Sequence, residues 1–528
     1  MSITSTAFVL CLIVLTAIYF LAPKGLQWVV LLAASIGFYA AGGLRTLPYI
    51  LITALSAYAA ALAIGEVDRR QKAHFAARKE LTREEKAAVR KRNTTRKRWL
   101  MTAGLVLNFG LLCVFKYFHF ALAQWNRLLA QMGGGQIVDV FSLAVPLGIS
   151  FYTFQTMGYL IDVYWGNVKP QRNFFKLLLF TSFFPQVTQG PISTYSQLAG
   201  QLYEGHAFTY ENFALGGQRM IWGYFKKLVL ADVLAPWVGA VFQHYPDYTG
   251  GAVLVGIFFY SIRIYADFSG YMDIMCGFCQ IIGIRLEENF LRPYFSKSIA
   301  EYWRRWHITL GAWFKNYLYY PIAVSKWNTK IGKWGRRRFG KTFGQAMPAS
   351  IALVAVWLTT GLWHGASWAY IAWGGVNGLF IIVSLWLEPL YQRTRDALHI
   401  REGAWWFRAF QVVRTYVLVC LIKVLPEVGS LRGGLGLWRQ MFRGWGTPLS
   451  FAALFPYAPD RAQLAAVALA TLLLLCTSLL QRKMPIRTWF NRFPLPVRAM
   501  TLAALLLMAV YFGVPASGNV GGFLYEQF

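Results

Sequence analysis

Uncharged or nearly uncharged runs long enough to cross a bilayer recur along this 528-residue chain, and nothing else limits its fold so strongly. The hydrocarbon core of a membrane takes about 20 residues of helix. A spanning backbone must satisfy its own polar groups, which leaves only helices or closed barrels. Strand-like alternation in segments of about ten residues, the mark of a barrel, is absent. The composition agrees, at 56% hydrophobic with a mean hydropathy of +0.41. The chain is therefore expected to be all-α and multi-pass, with about 10–12 membrane helices plus interfacial helices.

Spans are expected near Ile3–Leu21, Leu26–Gly43, Leu47–Gly65, Leu100–Trp125, Ile137–Tyr164, Phe174–Val187, Phe213–Phe242 and Ala252–Ile284. Further spans are expected in the two halves of Ala346–Leu387 and near Phe410–Leu425, Leu464–Leu480 and Val497–Val514. The first segment has no basic residue before Ile3 and no small-residue cleavage site before Lys24, so it reads as retained and not as a signal peptide. With no internal repeat and no long linker, 1–528 reads as one membrane domain with its catalytic core at 143–387.

A formal net charge of +30 invites a nucleic-acid reading, but its distribution speaks against one. Between Arg69 and Arg98 stand thirteen Lys or Arg against three Glu, and Lys326, Lys330, Lys333, Arg336, Arg337, Arg338 and Lys341 form a second, purely basic block. Under the positive-inside rule both blocks, within a segment 66–99 and a loop 323–345, belong in the cytosol, where they also meet anionic lipid. Three spans precede the first block, which puts the N-terminus outside. No nucleic-acid recognition module accompanies the charge, so nucleic acid is not an expected partner. Six cysteines all lie in apolar segments; Cys276 and Cys279 form a CxxC without a companion pair, so a disulfide, redox or metal role is not expected.

Within Ala346–Leu387 the only Asp, Glu, Lys, Arg or His is His364. An unpaired polar ring in hydrocarbon costs on the order of several kcal/mol, so such residues face a protein interior or a watery cavity and often mark function. Gly361, Gly365, Gly374 and Gly375 around it are expected to weaken or interrupt the helix, as happens where a broken span lines a site. A carbonyl freed by such a break could equally hold the ring for structural reasons alone.

The second candidate, His307, follows Ser298 and Glu301, whose spacing is a capping box, so a helix is expected to begin there. At helical periodicity Trp303, Trp306, His307, Leu310, Trp313 and Phe314 share one face, while Arg304, Arg305 and Glu301 point elsewhere. An amphipathic helix rich in Trp and Arg suits a membrane interface. Asp267 has Arg263 four residues before it, which predicts an ion pair along one membrane helix, whereas Asp273 and Asp162 have no evident partner.

Four stretches, in this order and spacing, resemble the membrane-bound O-acyltransferase family, in the bacterial branch that acetylates alginate or transfers D-alanine to teichoic acid. They are Ser182-Phe183-Phe184-Pro185 with Gly190-Pro191-Ile192; Asp267-Phe268-Ser269-Gly270-Tyr271 with Asp273; Trp303-Arg304-Arg305-Trp306-His307-Ile308; and Thr360-Gly361-Leu362-Trp363-His364-Gly365. The resemblance is strongest from about Leu143 to Phe380. It implies a bacterial inner-membrane protein with a central funnel, in which a cytosolic acyl thioester approaches an acceptor from the other side. It maps the essential histidine onto His364 and a second polar position onto His307. Lys315-Asn316 before Tyr317-Leu318-Tyr319, and Ala323-Val324 after Pro321, depart from the commonest bacterial pattern and leave the substrate subclass open.

On this reading His364 deprotonates a sugar hydroxyl as it attacks the thioester, and His307 steadies the developing oxyanion. No Ser or Cys stands in a nucleophile-elbow context, which favours direct transfer but leaves a covalent acyl-enzyme open. Arg304 and Arg305 could hold donor phosphates or reach lipid headgroups, and Trp303, Trp306, Asn316, Trp363 and Asp267 join the candidate binding set. No bound cofactor is expected; the donor is acetyl-CoA or an acyl-carrier thioester. The expected acceptor is an extracytoplasmic polysaccharide, served by a soluble extracytoplasmic acyltransferase, with a small acidic carrier protein as a further partner. D-alanyl transfer to a wall polymer and a transporter or channel are the alternatives.

Overall fold

The computed structural model describes residues 2–133, 145–445, 454 and 460–513. Among the described residues nine helices are long and apolar enough to cross a membrane: Lys24–Ala41, Leu44–Ala77, Arg83–Gln131, Gly250–Ile281, Lys326–His364, Trp368–Ala397, Trp405–Lys423, Arg461–Leu480 and Leu495–Phe512. Thr6–Leu21 is apolar but shorter, 16 residues, and starts where the Ser5 side chain accepts from the Phe8 N–H. The span expected at Ile137–Tyr164 is a helix from Ile149 to Trp165; positions 137–144, like Val514, lie outside the described residues.

Two expected spans are not single helices. Phe174–Val187 divides at Phe183 into Phe174–Ser182 and Phe184–Val187. Phe213–Phe242 becomes Tyr210–Phe225, a π-helical stretch Lys226–Asp232, and Val233–Gln243. Hydropathy registers the apolar run and is blind to how tightly the backbone is wound within it.

By compactness the chain divides into residues 3–214 with 278–287, and residues 215–277 with 288–528. In the first unit Leu47–Ala77 and Arg83–Gln131 form a hairpin, and the second helix is started by a reciprocal cap in which Thr82 and Glu85 satisfy each other's backbone N–H. The basic segment is thus a helical hairpin. Helix Ile149–Trp165 is buried from Ile149 to Val163, and polar members pair inside the protein: Gln155 Nε2 donates to Phe180 O and the Thr156 hydroxyl to Thr181 Oγ1. Gly104 admits it closely: a Cβ there would stand 2.6 Å from Leu160 Cδ2. Lipid is as apolar as leucine, so such seams are held by close packing more than by exclusion of water.

The second unit has its own core, with Phe225, Val229, Leu230, Trp237, Val253, Ile257 and Val467 among its buried members. Beside it runs a buried charge network. Lys227 Nζ lies 2.7 Å from both Asp232 and Asp267, and Lys226 Nζ is 2.7 Å from Asp273 and donates to Ser269 Oγ. Arg219 bridges Asp273 at 2.8 Å and Glu288 at 2.6 Å. The expected Arg263–Asp267 pair is therefore not formed. The π-helical turn carries Lys227 to Asp267, and Arg263 instead faces Glu427 at 3.6 Å.

The second basic block is not a loop. Lys326–His364 turns back on itself at Gly340, whose φ of 86° is open to glycine, and Asn328 Nδ2 donates to Pro348 O across the turn. The next helix, Trp368–Ala397, then returns along Lys326–His364. Gly361 and Gly374 do not break these helices; they let them touch. A Cβ on Gly361 would lie 2.5 Å from Tyr370 O, and one on Gly378 would lie 2.8 Å from Trp357 Cβ. Only Gly365 stands outside a helix, and Gly375 faces open space.

A candidate acyl-transfer site

His364 is the last residue of its helix, and Gly365 lets the chain leave in an extended conformation before Ser367 caps the next helix by accepting from the Tyr370 N–H. This hairpin tip fixes the imidazole at the rim of a cavity lined by Tyr260, Ile264, Trp303, Trp306, His364, Tyr370, Trp373, Lys423 and Pro426. The His364 ring meets the edge of Trp373 at 4.9 Å between centroids and stacks over Tyr370 at 6.4 Å. Trp303 is oriented from behind: its Nε1–H donates to Asn377 Oδ1 at 3.0 Å, and Asn377 in turn donates to Trp373 O.

The segment carrying His307 differs from the single amphipathic helix expected of it. Ser298 does start a helix, by accepting from the Glu301 N–H, but Glu301 reaches back to the Lys297 N–H and not to that of Ser298. The helix ends at Arg305, and a second one runs Ile308–Phe314. Between them the backbone pairs with residues 289–291: the Leu291 N–H donates to Arg305 O and the Ile308 N–H to Asn289 O. This pairing outcompetes helical continuation and puts His307 at φ 49°, a left-handed conformation that a non-glycine side chain rarely adopts.

His307 is buried, with its Nδ1 3.4 Å from Asn289 Oδ1 and its ring edge-on to Phe268 at 4.9 Å. Asn289 Oδ1 also accepts from the N–H and hydroxyl of Thr309. Burial pushes the His307 imidazole down to about 3, so the ring is neutral at physiological pH. Trp363 joins the two histidines: its ring is 6.0 Å from His307 and 4.8 Å from His364. His307 does not itself line the cavity; its neighbours Trp303 and Trp306 do.

Of the other expected site residues, Arg305 is held by Glu301 at 2.6 Å, Arg304 and Asn316 are exposed, and Asp267 belongs to the charge network. Lys423, Tyr260, Tyr370 and Trp373 were missed by sequence reasoning. Lys423 stands at the end of an apolar run, where a lysine reads as one reaching back to the membrane surface; only its separation from Glu427 by a single turn hints at more.

A sequence profile described as MBOAT, membrane-bound O-acyltransferase family, matches residues 169–422, a stretch that contains both histidines. The chain is similar to the probable alginate O-acetylase AlgI of Azotobacter vinelandii, with 33% identity over 72% of this chain and 69% of that protein. It is similar also to the peptidoglycan O-acetyltransferase of Helicobacter pylori, with 32% identity over 55% of this chain and 56% of that one. With the teichoic acid D-alanyltransferase of Bacillus subtilis it shares 27% identity over 52% of its length and 66% of the relative's.

Proposed function

Because the chain belongs to the membrane-bound O-acyltransferase family and is an acyltransferase, we propose that it moves an acetyl group from a cytosolic thioester to a hydroxyl of an extracytoplasmic polysaccharide, with His364 as general base. The observation that carries this reading is the imidazole of His364 at the wall of an aromatic cavity, on a rigid hairpin tip. Imidazole, with an ordinary pKa of about 6.5, is suited to taking a proton from a hydroxyl as it attacks near neutral pH. None of the described cavity-lining residues is Ser, Thr or Cys, which supports direct transfer. The hydroxyl oxygen bonds to the carbonyl carbon and its proton passes to His364. The tetrahedral intermediate then expels the thiolate, which takes that proton.

The more similar relatives, acetylases of alginate and of peptidoglycan, favour acetyl over D-alanyl. In this reading the protein sits in the bacterial inner membrane with its N-terminus outside and both basic hairpins in the cytosol, and a soluble extracytoplasmic acyltransferase completes delivery to the polymer. A general base contributes about 100- to 10,000-fold, so H364A should remove polymer acetylation while membrane abundance stays constant. Mass spectrometry of surface glycans from wild-type and H364A cells reads this directly. Wild-type acetylation in H364A cells would refute it.

A further inference from the structure

We propose that Lys423 donates a hydrogen bond to the acyl carbonyl oxygen during the transfer at His364, a role that rests on the acyl-transfer reading above. Lys423 and His364 line the same cavity. The Lys423 side chain is buried, at 5% exposed, and its Nζ lies 3.2 Å from the ring centroid of Trp306, with the rings of Tyr302 and Tyr294 at 5.4 and 5.5 Å. These π faces fix the amine in place, and its N–H groups remain donors. They use none of the oxygen or nitrogen acceptors that its N–H groups require, and among the described residues Nζ has no hydrogen-bond partner. Glu427, one turn further on, is engaged elsewhere: it accepts from the Tyr260 hydroxyl at 3.0 Å and faces Arg263 at 3.6 Å.

A buried donor without an acceptor is costly, and a site that keeps one is built for a ligand that brings the acceptor. The thioester carbonyl is such an acceptor, and its demand grows along the reaction. As the hydroxyl oxygen bonds to the carbonyl carbon, the π electrons of C=O move onto oxygen while the hydroxyl proton goes to His364. The alkoxide so formed faces Lys423. When the C=O bond re-forms, the carbon–sulfur bond breaks, its electron pair leaves on sulfur, and the proton passes from His364 to the thiolate. Lys423 keeps its protons throughout and binds the intermediate more strongly than the substrate, which is the condition for raising kcat. Lys423 lines this cavity and His307 does not.

The test measures acetyl transfer in membranes carrying wild type, K423M, K423R or H364A, using an acetyl thioester and its dithioester analogue, in which C=S replaces C=O and accepts hydrogen bonds poorly. K423M is expected to lower kcat about 100-fold with donor KM changed less than about threefold, and K423R to recover part of the loss. The preference for the oxygen over the sulfur donor, taken within each variant so that abundance cancels, should fall about tenfold or more in K423M. If K423M does not reach the membrane, K423L is put through the same comparison. A wild-type kcat or an unchanged donor preference overturns the role of Lys423 and, with H364A inactive, leaves the proposed function standing. Wild-type membranes that transfer from neither donor overturn both.

Discussion

Asparagine substitutions at Asp267 and Asp232, singly and together, test whether the charge network beside the core of the second unit supports the fold or the chemistry. Lys227 is held between the two carboxylates at 2.7 Å each, and the three side chains are 1%, 6% and 3% exposed for Lys227, Asp232 and Asp267. Either single change leaves the lysine one of these carboxylates and loses one charge-assisted hydrogen bond, about 2 kcal/mol. The double change takes away both carboxylates from a buried ammonium, and removing the partners of a buried charge costs about 3–5 kcal/mol beyond a retained pair. The double variant should therefore exceed the sum of the singles by about 1–3 kcal/mol. Thermal unfolding of detergent-purified protein, followed as the midpoint shift of the four proteins in the cycle, measures this. Additivity within about 0.5 kcal/mol would refute the shared-lysine geometry. A D267N protein with wild-type unfolding and no acyl transfer would return Asp267 to the substrate site.

Gly374→Val drives a side chain into Trp357 O and should sharply reduce membrane abundance, read by immunoblot, whereas Gly375→Ala, with open space around it, should not. Trp303→Phe removes the bond to Asn377 and should cost about 1 kcal/mol in thermal unfolding while lowering acyl transfer through the freed ring. Since His307 titrates at about 3 when folded and at about 6.5 in an open chain, the unfolded state holds the additional proton between these values. The stabilisation is thus complete above about 6.5 and is lost as pH falls toward about 3, and H307N should show a flatter pH dependence of the unfolding midpoint in that window.

The spans were legible because their signal is local: an apolar run of sufficient length reports a membrane helix whatever it packs against. His364 was legible for the same reason, as the one Asp, Glu, Lys, Arg or His in such a run. What escaped was set by partners distant in the chain. The segment Ser298–Lys315 carries good helical periodicity, yet the backbone of residues 289–291 breaks it at His307. Arg263 and Asp267 have ideal spacing for a pair along one helix, yet Lys227 and Glu427 claim them separately. The glycines near His364 were expected to weaken or interrupt the helix, while the effect of Gly361 and Gly374 is to let Lys326–His364 and Trp368–Ala397 come close together. Lys423 gave no local sign of its aromatic surroundings, since Tyr294, Tyr302 and Trp306 lie more than a hundred residues upstream.

The wide winding of Lys226–Asp232 has a bearing on how this protein can change. On an ordinary α-helix consecutive side chains diverge by about 100°, so two neighbouring lysines could not both address carboxylates on one facing helix. A π-helical stretch accommodates an additional residue and narrows that divergence. Deleting one residue beside the two lysines would restore regular pitch and turn one ammonium away from the carboxylates of the facing helix. Length polymorphism is therefore closed to this stretch even where substitution is open.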